Sequence, residues 1–192
     1  MSAPDLLADS AWVTDGGLET DLIFNHGIDL PEFASFPLVA DDAGRAALTA
    51  YYREYAAIAA AADAGVVLET PTWRANPDWG RVLGYDAAAL DRLNQESVAL
   101  VRSVLESSAP GRYLTSGAVG PRGDGYLAGG DDPDEAAEYH AAQARSFAAA
   151  GADLVHAMTM TGAAEGIGVV RAARAAGLPV AVSFTVETDG LL

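Results

Sequence analysis

The sequence contains neither cysteine nor lysine. Without cysteine there can be no disulfide, no thiolate nucleophile and no zinc site built from thiolates on this polypeptide. Without lysine there can be no Schiff base on a lysine amine and no Walker-type phosphate loop. Positive charge is scarce as well: 11 basic residues, all arginine, stand against 27 acids, for a formal charge of -16. Such a surface repels phosphate backbones and anionic lipid heads, so neither nucleic acid nor a membrane is an expected partner. No apolar run is long enough to span a bilayer, and the acidic opening "MSAPDLLADS" has neither the basic nor the apolar region of a secretory leader. A cytoplasmic protein is expected. With 51% hydrophobic residues in 192, the chain can bury one core, and residues 1–192 are read as a single domain.

What is present is a repeated unit. "AAADAGVVLETPT" (60–72), "AAAGADLVHAMTM" (148–160) and "RAAGLPVAVSFTV" (174–186) each read as an alanine-rich helix end, a glycine suited to a left-handed C-terminal cap, an apolar run and a threonine. "GRYLTSGAVG" (111–120) is a looser copy, and "AWVTDGG" supplies a first strand. Between them, three- and four-residue apolar spacing predicts helices over 42–63 and 87–107, with further helices over 133–150 and 162–176. Asp86 and Asp132 stand as N-caps, the latter followed by Pro133 at the first helical position. The count is five strands and four helices in strict alternation. After strand 1 a loop of about twenty residues is expected before the next helix.

Strands that are apolar on both faces and alternate with helices belong to a helix-covered parallel sheet, an α/β fold. No G-x-G-x-x-G follows strand 1, which disfavours a dinucleotide fold. A TIM-type (β/α)8 barrel fits better, but it takes about 250 residues. The expectation is therefore an incomplete barrel, the first five of eight units, ending after strand 5. A second copy of the chain is one way to cover the open edge this leaves.

In such barrels the chemistry gathers at the carboxyl ends of the strands. There stand Asp15, Glu69, Thr70, Ser116, Thr159, Ser183, Thr185 and Glu187, and the expectation is one shared mouth. Gly16 and Gly17, with Gly117, Gly120 and Gly123, would let a ligand or loop approach the backbone. Asp15 is the candidate ligand-binding carboxylate. Trp73, Arg74 and Trp79 share the loop "ETPTWRANPDWG", either as a pocket wall or as packing over the rim, with Trp79 inside a short helix. His26, His140 and His156 show no ligand spacing, so no histidine metal site is expected.

These segments resemble the homocysteine S-methyltransferase family. "DGGLETDL" (15–22), "ETPTWRAN" (69–76), "SGAVGP" (116–121) and "SFT" (183–185) are similar to its signatures after strands 1, 2, 3 and 5, in the same order. The resemblance implies a (β/α)8 barrel that transfers a methyl group from a sulfonium or betaine-type donor to the thiol of homocysteine. It implies a zinc ion that lowers the pKa of that thiol, held in the family by three cysteines that would lie beyond Leu192, so none is expected to be bound by this chain. Asp15 would meet the substrate ammonium, and Gly16, Gly17, Thr70 and Trp73 would surround its carboxylate and side chain. Thr159 and Ser183 complete the expected substrate-binding set.

One position departs from the family. Met158 stands beside Thr159 where a glutamate is common, which leaves open a related thiol as acceptor. Two other readings compete: a catalytically inactive barrel fragment, and a lyase or aldolase holding magnesium through Asp15, Glu69 and Glu187.

Overall fold

A computed structural model describes residues 7–8, 10–108, 111–123, 125, 132–186 and 190 of the chain. Its strands are β1 (Trp12–Thr14), β2 (Gly65–Glu69), β3 (Tyr113–Val119), β4 (Leu154–Met160) and β5 (Val180–Phe184). They form one sheet in sequence order, every neighbouring pair parallel. This is the winding of a TIM barrel carried through five strands, an open half-barrel.

Six helices cover the outside among the described residues: α1 (Leu18–Phe24), α2 (Asp42–Ala61), α3 (Pro77–Leu83), α4 (Ala87–Ser108), α5 (Pro133–Ala150) and α6 (Ala163–Ala175). Their starts are set by short polar side chains that satisfy otherwise unpaired backbone donors. Asp41 accepts from Gly44 N at 2.9 Å, Asn76 from Trp79 N at 3.2 Å, Asp86 from Ala89 N at 2.8 Å and Asp132 from Asp134 N at 2.8 Å.

α1 corrects the expected loop after β1. Leu18 and Leu22 lie one turn apart and are both buried, and Glu19 and Asp21 place negative charge in its first turn. With α1 and α3, the strict alternation of five strands and four helices gives way to a winding with short extra helices after β1 and β2.

The core lies between the sheet and its helices. Val66 and Leu68 of β2 are buried in one cluster with Leu48 and Tyr52 of α2 and Leu93 and Val101 of α4. Val119, Val155 and Ala157 are buried in a second with Phe147 of α5 and Val169 of α6. Each buried valine, leucine or phenylalanine here contributes roughly 1.5–3 kcal/mol by leaving water.

The glycines divide in a way their flanking residues do not announce. Gly151 and Gly177 take the expected left-handed conformation after α5 and α6, with φ of 79° and 81°. After α2 that conformation falls instead on Asp63, φ 49°, while Gly65 is already in β2. A Cβ on Gly65 would come within 2.5 Å of the Trp12 ring, so the glycine makes room for that indole.

The opposite face of the sheet lines the barrel interior. Register pairs Glu69 with Ser116, Ala118 with His156, and His156 with Ala181, and paired residues point to the same side. Near its carboxyl end β4 slips in register against β5 between Ala157 and Met160, and Thr159 there takes φ 55°.

Candidate active site

A cavity of about 310 Å³ opens at the carboxyl ends of the strands. Seven of the eight expected substrate-binding residues line it: Asp15, Gly16, Gly17, Thr70, Trp73, Met158 and Thr159. Ser183 does not line it, but its Oγ accepts from Thr159 N at 3.2 Å. Of the other strand-end residues, Glu69 and Thr185 line the cavity, whereas Ser116 is buried elsewhere on the interior face. Glu187 lies outside the described residues.

None of Gly117, Gly120 and Gly123 lines the cavity. Gly117 faces outward, where a Cβ would stand 2.4 Å from the Phe147 ring, so it serves strand-on-helix packing. Gly120 admits a loop: its N–H donates to Trp73 O at 3.0 Å, and a Cβ there would stand 2.4 Å from that oxygen. Gly123 takes φ 64° and its carbonyl accepts from Trp79 Nε1 at 2.9 Å.

Asp15 is held from two sides. Its Oδ1 accepts from Glu69 N at 3.0 Å, and its Oδ2 accepts from the Tyr51 hydroxyl at 3.5 Å. Burial pushes its carboxyl from 3.8 up to about 7, and the charges of Glu69 and Glu19 push the same way against the stabilising amide of Glu69. Gly16 N donates to the same Tyr51 oxygen at 3.2 Å, and a Cβ on Gly16 would meet the Tyr55 hydroxyl at 2.9 Å. A row of tyrosines from α2 therefore seats the Asp-Gly turn.

Thr70 is committed elsewhere. Its Oγ1 accepts from Ala118 N at 3.0 Å and lies 2.6 Å from Thr72 Oγ1, which in turn donates to Ala118 O at 2.8 Å. Since the Thr72 proton goes to Ala118, the Thr70 proton must go to Thr72. Towards a ligand, this hydroxyl can only accept.

Trp73 forms a wall, its Nε1 donating to Met158 O at 3.4 Å. Arg74 stacks 3.9 Å from the centroid of the Trp79 ring and 5.1 Å from that of Trp73, and donates to Glu32 O. The two readings of this loop are thus divided between its tryptophans: Trp73 lines the cavity, and Trp79 packs the rim from within α3.

Several groups at the site were not singled out from sequence. Glu19 lines the cavity, takes a hydrogen bond from Ser35 Oγ at 2.5 Å, and has its carboxyl raised by burial. Its signal lay in the "DGGLETDL" stretch itself, one helical turn beyond Asp15. Tyr51 carried no signal beyond its place on the apolar stripe of α2. Phe33, another wall residue, sits at φ 56° in the turn Pro31–Phe33. Inside the barrel, His156 Nδ1 meets Glu69 Oε1 at 3.0 Å, a contact between residues 87 apart.

Among the described residues no group of three or more His, Cys, Asp or Glu could hold a metal ion. Glu187, the third acid of the magnesium reading, lies outside the described residues. Among the described residues no helix is long and apolar enough to cross a membrane.

The family profile "Homocysteine S-methyltransferase" matches residues 12–192. Among solved structures, the chain is similar to the homocysteine methyltransferase MmuM from Escherichia coli. To the metallated form it shows 20% identity and a TM-score of 0.76, covering 95% of this chain and 67% of that one. To the oxidized form the values are 21%, 0.78, 95% and 66%, and to the apo form 22%, 0.66, 96% and 65%. The chain thus spans about two thirds of the length of those structures, and at such identity the likeness shows the fold alone. No curated protein matches the chain at a significant level.

Proposed function

We propose, from the premise that this chain belongs to the homocysteine S-methyltransferase family, that its cavity binds an amino-acid thiol, homocysteine or a close relative, as acceptor of a methyl group. The observation that carries this is Asp15, a half-buried carboxylate at the mouth beside two glycines that leave the backbone open. A carboxylate held above its ordinary pKa is poised to take up a cation. An incoming ammonium compensates the charge that burial penalises, so binding draws Asp15 into its ionised form.

The apolar walls suit the rest of the ligand. Trp73, Phe33 and Met158 can pack against a short thioalkyl chain and against the methyl groups of a sulfonium or quaternary ammonium donor. Methyl transfer then needs the acceptor sulfur as a thiolate, in line with the methyl carbon and its leaving group. The leaving group departs neutral, its positive charge cancelled together with the negative charge of the thiolate.

The family resemblance implies zinc at the thiol. The described residues offer no donor set for it, and the sequence contains no cysteine. These residues do not fit a thiolate zinc site, and no step of the proposed transfer passes through one. The same reading expects a cytoplasmic protein.

The test is calorimetric titration of homocysteine into the protein and into Asp15→Asn. A charge-assisted hydrogen bond is worth roughly 1.5–3 kcal/mol, so the variant should bind about 10- to 100-fold more weakly. Equal affinity would remove Asp15 from the site.

A further inference from the structure

A single tight turn brings Glu19 into the same cavity as Asp15. After β1 the chain folds back, with Leu18 N donating to Gly16 O at 3.0 Å, and α1 begins with Leu18 and Leu22 buried. Glu19 stands one residue, about 100°, round that helix from Leu18, and it lines the cavity instead of entering the core. Ser35, itself buried, fixes the carboxyl there: its Oγ donates to Glu19 Oε1 at 2.5 Å and lies 3.2 Å from Pro71 O. A carboxylate has about four acceptor sites, so this bond leaves Glu19 able to take further donors.

The charge of the cavity has one sign. Among the described residues its lining holds three acids, Asp15, Glu19 and Glu69, and no arginine or histidine. The lining residues at and beyond the ends of β4 and β5 are Met158, Thr159 and Thr185, none of them charged. Of the two acids beside Asp15, Glu69 already meets His156 Nδ1 at 3.0 Å, whereas Glu19 is held by a neutral hydroxyl. Burial raises the Glu19 carboxyl against the pull of the Ser35 hydrogen bond, its own backbone amide and the charge of Arg74, and the Glu19 charge in turn pushes Asp15 up. Arg74 is stacked against Trp73 and Trp79 and is not part of the lining. A cation entering the cavity therefore relieves both acids at once.

We propose that Glu19 is a second binding carboxylate for the ammonium of the acceptor, which sits between Glu19 and Asp15. This rests on the reading that the cavity takes an amino-acid thiol. An ammonium carries three N–H donors, so one can go to each acid, and the pair fixes the direction of the group as well as its charge. The thioalkyl chain is left to the apolar surfaces of Trp73, Phe33 and Met158. The consequence is specificity: a thiol without the ammonium leaves two carboxylates uncompensated in a partly buried cavity and is rejected.

The test compares homocysteine with 4-mercaptobutyrate, the same chain without its amino group. Both are titrated calorimetrically into the native protein and into Glu19→Gln, the deaminated thiol by competition with homocysteine, and the native protein is crystallised with homocysteine. The complex should place the ammonium nitrogen within about 3.2 Å of an oxygen of Glu19 and of Asp15. Glu19→Gln keeps the shape and a hydrogen-bond acceptor but removes the charge, so homocysteine should bind about 10- to 100-fold more weakly. The affinity for 4-mercaptobutyrate should be no lower in the variant than in the native protein.

An ammonium that contacts Asp15 alone, or homocysteine affinity unchanged in Glu19→Gln, overturns the inference and leaves the acceptor reading standing. So does equal weakening of both thiols, which would mark Glu19 as part of the wall only. Failure of the native protein to bind homocysteine sinks the acceptor reading, and this inference falls with it. Where the variant folds poorly or the deaminated thiol is too weak to measure, the complex of the native protein decides.

Discussion

Asp15 offers a stability measurement that requires no knowledge of the substrate. Its carboxyl stands at about 7 in the folded protein against 3.8 ordinarily, chiefly through burial, with the Glu69 and Glu19 charges adding to it. Between those two values the folded state holds a proton that the unfolded chain has released. Stability therefore falls as pH rises from about 4 to about 7, and the contribution of this group is flat above that. Each unit is worth about 1.36 kcal/mol, so the full penalty is about 4 kcal/mol. Because Asp15 is only partly shielded from solvent, a measured value nearer half of that is expected.

Asp15→Asn keeps the shape and removes the titration. Urea unfolding of both proteins at pH 5, 6, 7 and 8 should show the variant gaining on the native protein by roughly 1–3 kcal/mol between the ends of that range, with most of the change complete by pH 7. The same variant should lose homocysteine affinity, so stability and binding would move in opposite directions. A difference in unfolding free energy that is constant across the four pH values would refute the argument, since it would mean that Asp15 ionises normally in the folded chain.

Three further outcomes follow from local geometry. Gly117→Ala should cost about 1–3 kcal/mol by forcing a methyl against the Phe147 ring, and Phe147→Leu in the same chain should recover part of it in a thermal melt. Thr159→Gly should raise the melting temperature, because a β-branched residue at φ 55° carries a strain of about 1–3 kcal/mol that glycine lacks, offset by roughly 0.5–1 kcal/mol of chain entropy. Tyr51→Phe should weaken homocysteine binding several-fold in calorimetry, since Gly16 N loses its acceptor and the Asp15 turn loses its anchor, at a stability cost of about 1 kcal/mol.

The helix and strand order was legible because it is written locally. The N-caps at Asp86 and Asp132, the 3.6-residue stripes of α2 and α4 and the apolar strand runs are each contained within a few turns of chain. α1 was missed because Asp-Gly-Gly reads as a turn; only burial of Leu18 and Leu22 under the neighbouring helices makes the next seven residues a helix. Seven of the eight residues chosen for the mouth line one cavity for a reason that sequence can state: in a parallel winding, strand ends converge.

Sequence alone thus determined the α/β winding, the acidic, lysine-free and cysteine-free chemistry, and which strand ends meet. Tertiary structure decided which polar groups at those ends remain free. Thr70 spends its proton on Thr72, Gly117 faces a helix and Gly120 a loop, Asp15 is lifted by burial, and Glu69 finds His156 across the barrel. Those outcomes depend on contacts between residues distant in sequence and on the loss of solvent around a charge, neither of which leaves a pattern in a short stretch of residues.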